Sequence, residues 1–178
     1  MLKKATLLLF ILSALATMSF AQQDKSKRPS PPAKAEASIG DIKIEINYSS
    51  PAVKGRTVWG NLVPFGQVWR TGANEATTFE VSKDVMVQGH LLPAGKYAFF
   101  TIPGEEEWIL IFNKEPNQWG AYNYNDKMDA LRVNAKAGSG PEFNERLTFD
   151  ITTRDKVAFI NMKWENLAVG FSVLPSEK

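Results

Sequence analysis

The sequence predicts an all-β chain, folded as one single-domain β-sandwich or partly closed barrel of about eight to ten short, mostly antiparallel strands. Three observations predict it. From Ile39 onward apolar and polar residues alternate with a period of two, as in Ile42, Ile44, Ile46 and Tyr48 against Lys43, Glu45 and Asn47. Turn residues punctuate the chain at short intervals, and no segment carries a helical period beyond a turn near Asp126 to Ala130.

The N-terminus has its own logic. Lys3 and Lys4 precede an apolar run from Ala5 to Phe20, and Ser19 and Ala21 supply the small residues that a signal peptidase requires. Residues 1–21 therefore read as a signal peptide, with Gln22 as the mature N-terminus, a periplasmic or secreted location and no transmembrane anchor in the mature chain. Residues 22–38, QQDKSKRPSPPAKAEAS, hold no large apolar side chain. Such a composition cannot offset its ordering entropy, so this stretch reads as a flexible leader and 39–178 as the domain.

Within the domain each strand has a local cause. Thr77 to Val81 and Val85 to Leu92 are β-rich runs split by Ser82, Lys83 and Asp84, and Pro93 to Gly95 turn the chain into Lys96 to Ile102. Pro103 and Gly104 turn it again into Trp108 to Phe112. These last two strands are apolar on both faces, which places them at the sheet centre with neither face open to water. Leu147, Phe149 and Ile151 alternate with Thr148, Asp150 and Thr152, as on a strand buried on one side. Val157 to Trp164 and Leu167 to Leu174 read as a closing hairpin, with its turn at Glu165 and Asn166.

Composition excludes several classes of function. The chain has 21 basic and 19 acidic residues, and removal of Lys3 and Lys4 with the signal peptide leaves 19 of each. A neutral chain without blocks of like charge has no counterion-release footprint, so nucleic acid is not an expected partner. Cysteine is absent, which removes disulfides, thiolate metal sites and cysteine nucleophiles together. His90 is the only histidine, so no site with two imidazoles can form. Asn123, Asn125 and Asp129 resemble the start of a calcium loop, but the glycine and the bidentate glutamate of such a loop are missing. No metal site and no cofactor are expected.

Two segments break the strand rhythm. Gly55 to Glu75 ends in Arg70, Asn74 and Glu75, and Lys114 to Asp129 carries Trp119, Tyr122 and Tyr124. Irregular stretches beyond about 12–15 residues are uncommon in compact domains and are often functional. Parts of both lie in three longer phrases, LVPFGQVWRTGANEATTF (Leu62 to Phe79), LPAGKYAFFTIPGEEEW (Leu92 to Trp108), and QWGAYNYN (Gln118 to Asn125) followed by LRV (Leu131 to Val133). From about Ile42 to the C-terminus the chain resembles an exported bacterial family catalogued as domain of unknown function 2911. That resemblance implies an exported location and a common fold. It implies no activity, cofactor or catalytic residue.

The candidate site residues therefore rest on chemistry alone. Arg70 and Asn74 could recognise a carboxylate or sugar hydroxyls, and Glu75 could serve as acid or base if burial raised its pKa. Equally, Arg70 and Glu75 could pair with each other to pin a crossover. Trp119, Tyr122 and Tyr124 could form a stacking platform for sugar rings, or fold inward as a plug over one end of the sandwich. The favoured reading is an exported envelope protein that binds a ligand or partner, such as a carbohydrate or envelope component, without catalysis. A carboxylate-dependent glycan hydrolase using Glu75 and Asp126 is one alternative, and a structural or stress-related envelope protein is another.

Overall fold

The computed structural model describes residues 24–176, so the signal peptide and its cut before Gln22 lie outside the described residues. The fold is all-β, as the alternation predicts. Nine strands run in chain order: β1 (Pro32–Ile39), β2 (Ile42–Ser49), β3 (Thr77–Val81), β4 (Val85–Val87), β5 (His90–Leu92), β6 (Gly95–Ile102), β7 (Glu107–Asn113), β8 (Asp129–Arg154) and β9 (Val157–Pro175). They form one antiparallel sheet in the order β1-β2-β3-β6-β7-β8-β9-β4-β5, folded over in sandwich fashion but not closed into a barrel. Among the described residues no helix is long and apolar enough to cross a membrane.

Two long strands do the folding over. The first part of β8 pairs with β7, from Glu107↔Lys136 to Asn113↔Asp129, and the rest pairs with β9. Near its middle β8 crosses the end of β2: the Ser50 hydroxyl donates to the Leu147 carbonyl at 2.7 Å, and the Phe149 amide donates to Tyr48 Oη at 3.2 Å. Between the two layers lies a core rich in phenylalanine, in which Phe79, Phe99, Phe112 and Phe171 touch one another. The row Ile42, Ile44, Ile46 and Tyr48 faces this core, as its period of two requires.

β6 and β7 sit at the sheet centre, and both of their faces are covered. Phe99, Trp108, Leu110 and Phe112 enter the main core, while Ala98, Phe100 and Ile111 form a second apolar cluster on the opposite face. That outer cluster is roofed by Val68, Ala121 and Tyr124 from the two irregular segments. A double-sided apolar strand thus has its cause in the loops that cross it.

Two expectations need correction. Residues 22–38 are not a flexible leader throughout, because Pro32–Ile39 is an edge strand paired along its length with β2, from Pro32↔Ser49 to Ile39↔Ile42. Its alternation is present but faint: Ala33, Ala35, Ala37 and Ile39 alternate with Lys34, Glu36 and Ser38, and alanine gives little apolar contrast. Pro32 is tolerated because it opens an edge strand, where no ladder donor is needed. The expected closing hairpin is also one strand, β9. Glu165 does adopt positive φ (56°), but a type I′ hairpin turn needs it at both central residues. A single left-handed residue does not turn the chain back, and the β8–β9 register slips where Asn144 faces Glu165, with the extra residues in β8.

Candidate functional site

The Gly55 to Glu75 segment is anchored by indoles. Trp59 and Trp69 pack against Trp108 and Trp164 with ring centroids 5.0–6.2 Å apart, and Trp69 exchanges both backbone hydrogen bonds with Thr101 at 2.8 and 2.9 Å. Beyond Trp69 the chain turns sharply, with Thr71 at φ 53° and Asn74 at φ 59°. Left-handed backbone at a β-branched residue is costly, and the surroundings hold it in place. Thr71 is fully buried, its hydroxyl lies 3.2 Å from both the Trp69 carbonyl and Thr101 Oγ1, and its carbonyl accepts from Thr77 Oγ1 at 2.8 Å. Gly72 is needed for space, since a Cβ there would lie 3.1 Å from the Ser49 carbonyl oxygen.

The Lys114 to Asp129 segment is pinned by a buried amide. Asn113 Nδ2 donates to the Asn125 carbonyl at 2.9 Å and to Asp129 Oδ1 at 2.8 Å, while Asn113 Oδ1 accepts from the Glu115 amide at 3.0 Å. Tyr124 belongs to this fastening and does not join the expected platform. Its ring packs edge-on against Phe100 at 5.1 Å and its hydroxyl donates to Asp129 Oδ2 at 2.6 Å. Burial, reinforced by the neighbouring Asp129 carboxylate, pushes the Tyr124 hydroxyl up to about 12.

The two segments meet as a short antiparallel ladder. The Ala76 amide donates to the Gln118 carbonyl at 2.9 Å, the Gly120 amide donates to the Asn74 carbonyl at 3.0 Å, and Glu75 stands opposite Trp119. Beside this ladder opens a cleft of about 490 Å³ lined by residues that include Glu75, Trp119, Gln118, Thr78 and Lys96. The segment just before β1 completes its wall. Arg28 donates to both oxygens of Glu75 at 2.9 and 3.1 Å and sits over the Trp119 ring at 5.9 Å, and Lys25 pairs with Glu75 at 2.9 Å. Asn74 Nδ2 holds the same segment through the Ser30 carbonyl at 3.1 Å. Burial alone would push the Glu75 carboxyl up, but hydrogen bonds from Lys25, the backbone and Arg28 outweigh it and hold the group at about 2.

The cleft also holds polar atoms without a partner. Gln118 is nine-tenths buried, and neither its Oε1 nor the Thr78 hydroxyl meets a hydrogen-bond partner among the described residues. Trp119 is 55% exposed, so its ring is available at the cleft wall. Together these groups give the concavity a flat apolar surface and a cation, with the two unpaired polar atoms closed to solvent in its wall. Of the six sequence candidates only Glu75 and Trp119 line it. Arg70 and Tyr122 gather instead around Gly120, where a Cβ would lie 3.3 Å from Arg70 Nη1 and 2.9 Å from the Tyr122 ring. Gly120 itself has φ 68°, so both space and conformation call for glycine.

A family model described as "Protein of unknown function (DUF2911)" matches residues 30–173. The chain belongs to this family. The DUF2911 match begins before β1 and takes in all but the last two residues of β9, so the edge strand is part of the family domain. No curated protein and no solved structure matches the chain. Lys25, Arg28, Thr78, Lys96 and Gln118 were not legible as cleft residues in this DUF2911 chain, because two lie in the supposed leader, two on strands and one within the aromatic loop as a plain amide. The one available signal was the basic pair just ahead of a proline-rich stretch.

Proposed function

We propose that this DUF2911 domain is an exported, non-catalytic binding domain that receives a saccharide ring on Trp119, within the cell envelope or outside it. The observation that carries the reading is a half-exposed indole on the wall of a cleft that Gln118 and Thr78 also line. A pyranose presents just such a surface, with an apolar C–H face and a rim of hydroxyls. Gln118 Oε1 and the Thr78 hydroxyl are closed to solvent and unpaired among the described residues, and a hydroxyl-bearing ligand toward which these side chains turn relieves the cost of leaving them so.

The state of Glu75 argues against the hydrolase alternative. A carboxyl held at about 2 by Lys25 and Arg28 is ionised at neutral pH and cannot donate a proton, and its oxygens are already engaged. Asp126, the expected second carboxylate, lines a different surface depression. The structural-protein alternative asks for a closed end, whereas Trp119 and Tyr122 are 55% and 81% exposed. The test is a glycan array probed with the mature protein and with Trp119→Ala. Retention of a set of glycans by the wild type and its loss in the variant is expected, and an array on which the wild type retains nothing contradicts the reading.

A further inference from the structure

Residues 24–28 form a compact turn that rests on the cleft. The Asp24 carboxylate caps it, accepting from the Ser26 amide at 3.0 Å, and the Arg28 amide closes it on the Lys25 carbonyl at 3.2 Å. None of the five residues is buried, so no apolar core holds the turn against the domain. Its hold on the cleft is Glu75, which pairs with both Lys25 and Arg28, and the Trp119 ring under the Arg28 guanidinium. The next three residues are fixed differently, through their backbone. The Pro29, Ser30 and Pro31 carbonyls accept from Arg146 Nη1 at 3.3 Å, from Asn74 Nδ2 at 3.1 Å and from the Ser50 amide at 2.9 Å. The turn can therefore come off the cleft while the chain behind it stays anchored.

The position of Arg28 decides what the turn does to the site. Its guanidinium carbon stands over the Trp119 ring, 5.9 Å from the centroid, and Arg28 lines the same cleft as Trp119. A sugar ring stacked there needs about 3.5–4.0 Å to the indole below it and as much again to the guanidinium above it, about 7–8 Å in all. The gap is too small. A ring that reaches this face of Trp119 must displace Arg28.

We infer that residues 24–28 are a strap that competes with the saccharide for the Trp119 face, and that the site opens when this turn lifts about the anchor at residues 29–31. The inference rests on the saccharide reading above and adds the regulation of that site. Solvent-exposed ion pairs and a cation–π contact are individually weak, and together they favour the closed strap about tenfold. Apparent affinity falls by about the same factor, because only the open fraction receives the ring. The DUF2911 match starts at residue 30, so Glu75 and Trp119 lie within the matched domain and the strap lies just ahead of it. Removal of the strap leaves the matched domain whole.

The experiment compares the mature protein with a chain that starts at Ser30 and with the double variant Lys25→Gln/Arg28→Gln, which keeps the strap's length. Each is ¹⁵N-labelled and titrated with cellotriose and chitotriose, two neutral saccharides. The Trp119 indole N–H and, where present, the amides of residues 25–28 are followed. Both altered proteins are expected to bind about tenfold more tightly than the wild type, in which the strap amides move together with Trp119. Raising the salt from about 0.01 M to about 1 M shortens the screening length from about 30 to about 3 Å. That should bring the wild type to the affinity of the altered proteins and leave theirs unchanged. Equal affinity in all three proteins, with strap amides that stay still, overturns the inference and leaves the saccharide reading standing. Weaker binding by both altered proteins also overturns it, since the strap would then be part of the binding wall. A Trp119 resonance that neither sugar moves in any of the three proteins overturns both readings.

Discussion

Glu75→Gln removes one charge from the three-way cluster that ties the segment before β1 to the cleft, and its effect on stability depends on pH. The folded-state carboxyl sits at about 2, against about 4.3 for an ordinary glutamate. At about 1.4 kcal/mol per pKa unit the full shift would correspond to roughly 3 kcal/mol. The side chain is 40% exposed, however, and solvent screening reduces exposed ion pairs to about 1 kcal/mol or less. We therefore expect Glu75→Gln to cost about 1 kcal/mol at pH 7. Because the folded pKa lies below the unfolded one, the wild type keeps this contribution above about pH 4.5 and loses it as the pH falls toward 2. Urea denaturation of both proteins at pH 7, 5, 3 and 2 reads the difference, and other acids that titrate in this range cancel between the two. A gap of about 1 kcal/mol that closes at pH 2 is expected. A gap independent of pH, or none at pH 7, refutes the assignment of Lys25 and Arg28 to Glu75.

Three further outcomes follow from the packing. Phe99→Ala empties a fully buried site among four aromatic neighbours and should lower stability by about 3–5 kcal/mol in the same denaturation assay. Deleting residues 22–39 removes β1 with the buried Ala35 and Ile39, and should lower the thermal midpoint by about 4–8 °C, where a flexible leader would leave it unchanged. Glu165→Gly relieves left-handed backbone where β9 faces the irregular part of β8 and should raise stability by about 1 kcal/mol, whereas a residue in ordinary extended backbone would lose stability on the same change.

Much of the fold was legible because the strong signals were local. The alternation of Ile42, Ile44 and Ile46, and the two-sided apolar character of Tyr97 to Ile102, each follow from a few adjacent side chains whose burial the sheet then realises. The misread elements depend on distant partners. Pro32–Ile39 is a strand because β2 offers it a complete edge, not because alanine and lysine favour extension, and β9 runs on through Glu165 because β8 slips its register opposite it. For the candidate site, aromatic and charged residues in two long irregular segments marked the right region, and the segments do meet. Which side chain faces where was not legible. Trp119 and Tyr124 lie five positions apart in similar surroundings, yet one lines a cleft and the other is drawn inward by Phe100 and Asp129.

The proposed ring-binding role of Trp119 can be read directly, because the chain carries its own controls. Of its five tryptophans, Trp59, Trp69, Trp108 and Trp164 pack together in the core and Trp119 stands apart at the cleft. In a ¹⁵N-labelled sample each indole N–H gives one resonance, assignable by single Trp→Phe changes. On addition of a fragment mixture from hydrolysed envelope polysaccharide, the Trp119 resonance should move in a saturable way while the four core resonances stay in place. A still Trp119 resonance across the whole mixture, or equal movement of all five, contradicts the account.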